Sequence, residues 1–222
     1  MKEKIVTWVK ANPHFWALSY FIVYVIWFYS LEFFAEPKYW ITCPLDDFIP
    51  FNEYFIVPYG LWFLYFLGGL AYFMFKNKEL FLKLCFVMFT GMTICLTIYS
   101  FWPNAIDLRQ DITGNNLFCQ LAGFIRAVDT PTNVCPSIHV SSTVAVHWAV
   151  CRYRGFKHPT LIRTASLLLA LSICASTVFL KQHSIVDVFC GVALTAVLLL
   201  LLRIYEKTAA RHLNHRASCD KL

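Results

Sequence analysis

Residues Ser184–Tyr205 read SIVDVFCGVALTAVLLLLLRIY, and the charged side chains in this run are Asp187 near its start and Arg203 near its end. About 20 apolar residues in a row, at 1.5 Å rise per residue, match the hydrocarbon thickness of a bilayer. Similar runs lie upstream. The chain is 59% hydrophobic and 14% charged, against about 25% charged in an average soluble domain. The apolar excess sits in these blocks, not in helix stripes or strand alternation. Spans are expected at about His14–Phe34, Phe55–Phe75, Leu80–Trp102, Ser137–Tyr153, Thr160–Leu180 and Ser184–Tyr205. The fold class that follows is an all-α membrane protein with six transmembrane helices, forming a single domain over residues 1–222.

The basic residues orient it. Lys2, Lys4 and Lys10 precede the first run; Lys76, Lys78 and Lys83 follow the second; Arg152, Arg154, Lys157 and Arg163 follow the fourth; Lys207, Arg211, Arg216 and Lys221 lie in the tail. With six alternating spans all of these share one side. The opposite loops hold Glu36, Asp46, Asp47, Glu53, Asp107, Asp111 and Asp129. The positive-inside rule then places both termini in the cytoplasm. The net charge of +6 therefore marks span ends and does not point to nucleic acid. The first run is longer than the 7–15-residue core of a signal peptide and flows into Glu36-Pro37-Lys38, so an uncleaved span is expected. Residues 36–54 and a helical stretch from Gly114 to Val128, between the third and fourth spans, are expected at the membrane interface. Compact loops and no targeting motif suggest a bacterial cytoplasmic membrane.

Two short patterns carry chemistry: Pro136-Ser137-Ile138-His139 at the start of the fourth span, and His183-Ser184-Ile185-Val186-Asp187 at the start of the sixth. Pro136 reads as the first helical residue. Span parity puts both histidines at the same, outer face, near helix N-termini that favour a phosphate. His183 and Asp187 are i and i+4 and share a helix face. The carboxylate then fixes one ring nitrogen and leaves the other free to attack phosphorus. Either pattern alone is as readily a structural pair; their order, separation and common face give them weight. Arg109 suits phosphate through its planar fork, or it pairs with Asp107 or Asp111. Lys181 either supplies charge or snorkels, and Arg126 fits the polar side of an interfacial helix. His147 reads as a packed core histidine, and His14, His158, His212 and His215 as interface or tail residues. Asp129 and Asn133 read as turn caps in preference to headgroup contacts, and a pairing of Glu32 near the mouth of the site is left open. The nine cysteines form no CxxC pair, which argues against zinc or redox chemistry. Spacing leaves a disulfide among Cys43, Cys119 and Cys135 open. No ligand cluster suggests a metal.

Ser137 and His139 in Pro-Ser-x-His, with His183 and Asp187 in His-x-x-x-Asp, resemble the second and third signature motifs of the type 2 phosphatidic acid phosphatase (PAP2) superfamily, over roughly residues 99–195. The resemblance implies a cofactor-free and metal-free hydrolase. It would act on a phosphomonoester or pyrophosphate of a lipid at the extracytoplasmic face, with the bilayer and the lipid phosphate as its partners. It implies His183 as the nucleophile that forms a phosphohistidine, Asp187 as its orienting partner, His139 as general acid and Ser137 as a phosphate hydrogen-bond donor. The family's first motif is a Lys followed seven residues later by Arg-Pro; here Trp102 and Gln110 replace the Lys and Pro, and Arg109 remains. The Ser-Arg that opens the third motif is Ser176-Thr177. Lys181 and Arg126 are the candidates to restore the missing charge, so the phosphate-binding set is Ser137, Arg109, Lys181 and Arg126. These departures resemble the lipid phosphotransferase branches of the superfamily, such as the sphingomyelin and inositol phosphorylceramide synthases. Transfer of a phospho-headgroup to a lipid alcohol is therefore the alternative reading, and a non-catalytic lipid or anion transporter is the second.

Overall fold

Polar residues at the edges of the apolar runs set where helices begin. The computed structural model describes residues 11–219. Its helices are α1 (Tyr20–Phe34), α2 (Ile56–Lys76), α3 (Lys78–Phe101), α4 (Leu117–Val128), α5 (Ile138–Arg152), α6 (Pro159–Phe179) and α7 (Ile185–Cys219). The Asn77 side chain accepts from Leu80 N at 2.9 Å and starts α3 one residue after α2 ends. Asn116 does the same for α4 through Cys119 N at 2.9 Å. That cap is why α4 begins at Leu117 and not at Gly114 as the sequence suggests. Ser137 caps α5, so Pro136 stands before the cap and not inside the first turn. Lys2, Lys4, Lys10, Lys221 and the side chain of Arg216, all used above for orientation, fall outside what is described.

Among the described residues five helical segments are long and apolar enough to cross a membrane: Pro13–Phe34, Glu53–Lys76, Lys78–Phe101, Pro159–Phe179 and Ile185–His212. The first combines a 3-10 turn (Pro13–Ser19) with α1. The chain is thus a mostly helical protein of membrane-spanning type. The helix expected as the fourth span, α5, is shorter. Its 15 residues reach about 22 Å, against a hydrocarbon core of about 30 Å. It lies in the middle of the bundle and packs on α2, α3, α6 and α7. Enclosure lets it bury Ser141, Ser142 and Thr143. Trp62 Nε1 donates to Ser142 Oγ at 2.8 Å, and Thr195 Oγ1 to Ser141 Oγ at 3.0 Å. On the same helix His147 Nδ1 meets Ser166 Oγ at 2.9 Å, as expected of a packed histidine. His14, read as an interface residue, is buried, with Nε2 at 3.2 Å from the Met74 carbonyl oxygen.

Outside the helices, the connections at one end of the bundle are knitted together. β1 (Tyr39–Trp40) pairs in parallel with β2 (Asn104–Ala105), and Ala105 bridges to Thr132. Asn52 N donates to Phe179 O at 3.0 Å, and Ser137 N to Asp187 O at 3.2 Å. The ends of α1, α3 and α6 therefore meet the starts of α2, α5 and α7. Asn104 is the tie. Fully buried, its Oδ1 accepts from Val134 N (2.9 Å) and Cys135 N (2.8 Å), and its Nδ2 donates to Trp102 O and Cys135 O, both at 3.0 Å. Asn104→Ala strands two buried N–H groups at about 1–3 kcal/mol each. The expected outcome is a loss of about 3 kcal/mol, or about 6–12 °C in melting temperature measured in detergent. An unchanged melting temperature would show that this side chain does not hold the junction. At the opposite end Lys83 bridges Glu79 and Glu206 at 2.5 Å each, and Arg152 reaches Glu206 at 3.5 Å.

Candidate active site

The knitted end brings the two sequence patterns together. Lys181, Gln182 and His183 form the turn between α6 and α7, with Lys181 in the left-handed region (φ 57°). Gln182 N and His183 N both donate to Thr177 O, at 2.9 and 3.0 Å. His183 therefore sits two residues before α7 and not on it, whereas Asp187 lies in its first turn. The pairing expected from an i, i+4 helix face is made across a helix start. His183 Nδ1 is 3.3 Å from Asp187 Oδ2, which also accepts from Ser184 N at 2.9 Å. The opposite ring nitrogen, Nε2, lies 3.3 Å from Ser137 Oγ and 3.4 Å from His139 Nδ1. Asp187 and Ser137 are fully buried and His183 is 6% exposed. The hydrogen-bond network assigns the tautomer: Nδ1–H donates to the buried carboxylate, leaving a lone pair on Nε2.

The approach of α5 and α7 makes this contact possible. A Cβ on Gly191 would stand 2.8 Å from the Ser137 carbonyl oxygen, so the helices meet this closely only because residue 191 is glycine. Tyr99 donates to Pro136 O behind the same junction. The His139 ring is held between aromatic neighbours, with Trp62 at 4.2 Å and Tyr59 at 4.8 Å between ring centroids.

The start of α7 is not left open for an anion. Asp46, fully buried in the 3-10 turn Pro44–Phe48, accepts from Ile185 N at 2.9 Å through Oδ1 and from Ser184 Oγ at 2.6 Å through Oδ2. A carboxylate from the α1–α2 connection thus occupies the positive end of α7, where the sequence reading placed a phosphate. The second helix terminus, at α5, is the one facing His183. Asp46 was missed as a functional or structural residue. The pattern Cys43-Pro44-Leu45-Asp46 could have marked a helical turn with a cap, but nothing local says which distant helix it serves.

The candidate cations are brought near the site and then engaged elsewhere. Lys181 is 3% exposed, and its Nζ donates to Asp46 O at 2.7 Å. Arg109 donates to Arg126 O at 3.0 Å, to Asp129 O and to the side chain of Gln182. Arg126 donates to Gln110 O at 2.5 Å and to Leu180 O at 3.3 Å, and stacks over Phe51 at 4.7 Å. Among the described residues Arg109 does not make the surface pair with Asp107 or Asp111 that the sequence allowed. Burial holds both guanidinium groups below their ordinary pKa, opposed by Asp129 at Arg109 and by Asp111 at Arg126; both stay charged at neutral pH.

A cavity of about 280 Å³ opens onto the histidines. Its walls are aromatic and apolar, including Tyr24 and Phe28 of α1, Tyr59 and Trp62 of α2, and Met92 and Tyr99 of α3. Its polar end is formed by His139, His183, Gln182, Asp129 and Asn133. Asp129 and Asn133, read as turn caps, thus line the cavity. The Asp129 carboxylate accepts from Tyr59 OH, and Asn133 Nδ2 donates to Glu32 Oε1 at 3.2 Å. Cys43, Cys119 and Cys135 are free thiols. Burial, with the Asp187 charge next, pushes the Cys135 thiol up, so it stays protonated. No family model, curated protein or solved structure matches the chain.

Proposed function

We propose that the chain is a lipid-phosphate phosphatase acting through a phosphohistidine on His183. The observation that carries this reading is the arrangement Asp187–His183–His139. A buried carboxylate holds Nδ1, and Nε2 is exposed to a second histidine and to the cavity. In the reaction Nε2 of His183 attacks phosphorus from the cavity side. The P–O bond to the lipid breaks as the N–P bond forms, and protonated His139 passes its proton to the departing alkoxide. Water then attacks the phosphohistidine, and neutral His139 takes a proton from it. Phosphate leaves and His183 returns to its starting tautomer. Splitting one hard step into two is the ordinary gain of a covalent intermediate. Ser137 Oγ and the α5 N-terminus face the developing charge. These are the roles that the PAP2 resemblance implies, and they need no metal.

The topology follows the same proposal: six spans, with α5 crossing inside the ring of longer helices, and both termini cytoplasmic. It is supported by Lys83 and Arg152, which meet Glu206 at the end away from the histidines, with Lys76 and Lys78 near Lys83 in the chain. The outward stripe Leu117, Leu121, Phe124 and Val128 on α4 supports interfacial placement of that helix, since all four are exposed at i, i+4, i+7 and i+11. The site would then face outward, from a bacterial cytoplasmic membrane.

Headgroup transfer is the second reading. It is favoured by the aromatic and apolar walls of the cavity, which suit a lipid alcohol as acceptor. The spans run as unbroken helices among the described residues, unlike the paired half-helices of many transporters. The test is phosphate release from a panel of lipid phosphates by purified protein in detergent with EDTA present. Release that survives EDTA is the expected result. Headgroup transfer to an added lipid alcohol, without release, would move the assignment to the transferase; the absence of both activities would defeat the enzymatic reading.

A further inference from the structure

The cavity meets its ligand with negative charge. Asp129 lines it, fixed by Tyr59 OH. Glu32 stands behind Thr130 and Asn133, accepting from both. Among the described residues neither carboxylate has a Lys or Arg within ion-pair distance. The cations that the sequence offered for phosphate turn most of their donors to main-chain carbonyls of Asp46, Gln110, Arg126, Asp129 and Leu180, and Arg109 gives one to the Gln182 side chain. Of their guanidinium donors, only the Nε groups of Arg109 and Arg126 are left without a partner among the described residues. Arg109 alone lies close enough to offset Asp129. The walls around the carboxylates are electron-rich rings, Tyr24, Tyr59, Trp62 and Tyr99 among them. A phosphate dianion by itself is repelled here. A carboxylate beside aromatic faces is the usual setting for an organic ammonium, through ion pairing and cation–π attraction.

We infer that this cavity takes a phosphate ester that also carries an ammonium group a few bonds from phosphorus, with the phosphate at His183 and the ammonium toward Asp129 and Glu32. The inference rests on the reading of this cavity as a phosphate-ester site. The ammonium fills the role of the missing cations: it lowers the net charge of the ligand and brings its own counter-ion to the phosphate. Two sources share this chemistry. The ammonium belongs either to a headgroup amino alcohol or to the lipid backbone itself, as in a long-chain base phosphate.

The test begins with binding, so that it does not depend on turnover. Full-length protein in detergent is titrated calorimetrically with choline phosphate and with glycerol phosphate, which has the ester but no cation. Choline phosphate is expected to bind at least about tenfold tighter, the effect of one modest cation–π or ionic contact. Asp129→Asn is expected to erase that preference, and Glu32→Gln to reduce it; the second variant keeps the test open if the first does not fold. Equal or tighter binding of glycerol phosphate, or a variant that tightens both ligands alike, overturns the inference. His183→Ala should keep the choline phosphate preference even though it stops turnover. Preferential binding with no lipid turned over would sink the phosphatase reading and leave the ammonium site standing. Mixed-micelle assays then separate the sources. Phosphate release from a long-chain base phosphate places the ammonium on the lipid, and release or transfer of phosphocholine from phosphatidylcholine, with diacylglycerol as the leaving group, places it in the headgroup. Preference for phosphatidic acid over both contradicts the inference.

Discussion

His183→Ala is expected to lower turnover of the preferred lipid phosphate by at least about ten-thousandfold, leaving the melting temperature within a few degrees. Removing the nucleophile of a covalent mechanism removes the whole route, and what remains is the weak help of charge stabilisation and binding. The substitution is a fair test because the side-chain contacts of His183 are those of the proposed reaction: Asp187, His139 and Ser137. The turn itself is held by main-chain bonds from residues 182 and 183 to Thr177 O, which alanine keeps. Activity retained within tenfold would mean that the histidine is structural.

Asp187→Asn should cost about a thousandfold in kcat with a small change in KM. Asp187 Oδ2 accepts from His183 Nδ1 and from Ser184 N. An amide offers one oxygen, and the backbone N–H competes for it, so the His183 ring loses the partner that holds its proton on Nδ1. With the proton on Nε2 no lone pair faces the cavity. In serine proteases the corresponding change costs about ten-thousandfold; attack by the histidine itself keeps some reactive tautomer. A loss confined to KM, or no loss, would show that the carboxylate serves only to start α7.

The helices were legible because a bilayer imposes a length, and blocks of some 20 apolar residues can satisfy it in few other ways. α5 was legible as a short helix, expected at Ser137–Tyr153 and found at Ile138–Arg152, but not as one enclosed on α2, α3, α6 and α7, because nothing local reports the neighbours that supply its apolar surround. The nearness of His183 to Asp187 and His139 was legible as well. Parity across two helices constrains which loops share an end, and His183 and Asp187 are close in sequence. The rest depended on contacts of long range. Asp46 reaches residues 184 and 185 from 138 and 139 positions away. Asn104 closes its turn over 30 and 31 positions. No periodicity reports such ties. The long cationic side chains were the least readable: Lys181, Arg109 and Arg126 sit near the site by backbone position, yet their ends choose carbonyl groups that only the folded loops present. Asp129 shows the converse, a residue typical of turns whose carboxylate is drawn into the cavity by Tyr59 of another helix.

The central claim is that His183 becomes phosphorylated during turnover. The most direct measurement is a rapid quench into base with a lipid labelled in its phosphate, followed by mapping of the label on peptides. The account predicts a base-stable, acid-labile phosphoryl group on the peptide that contains His183, formed within one turnover and absent from His183→Ala. Turnover without any protein-bound label, or label on His139 with none on His183, would contradict it.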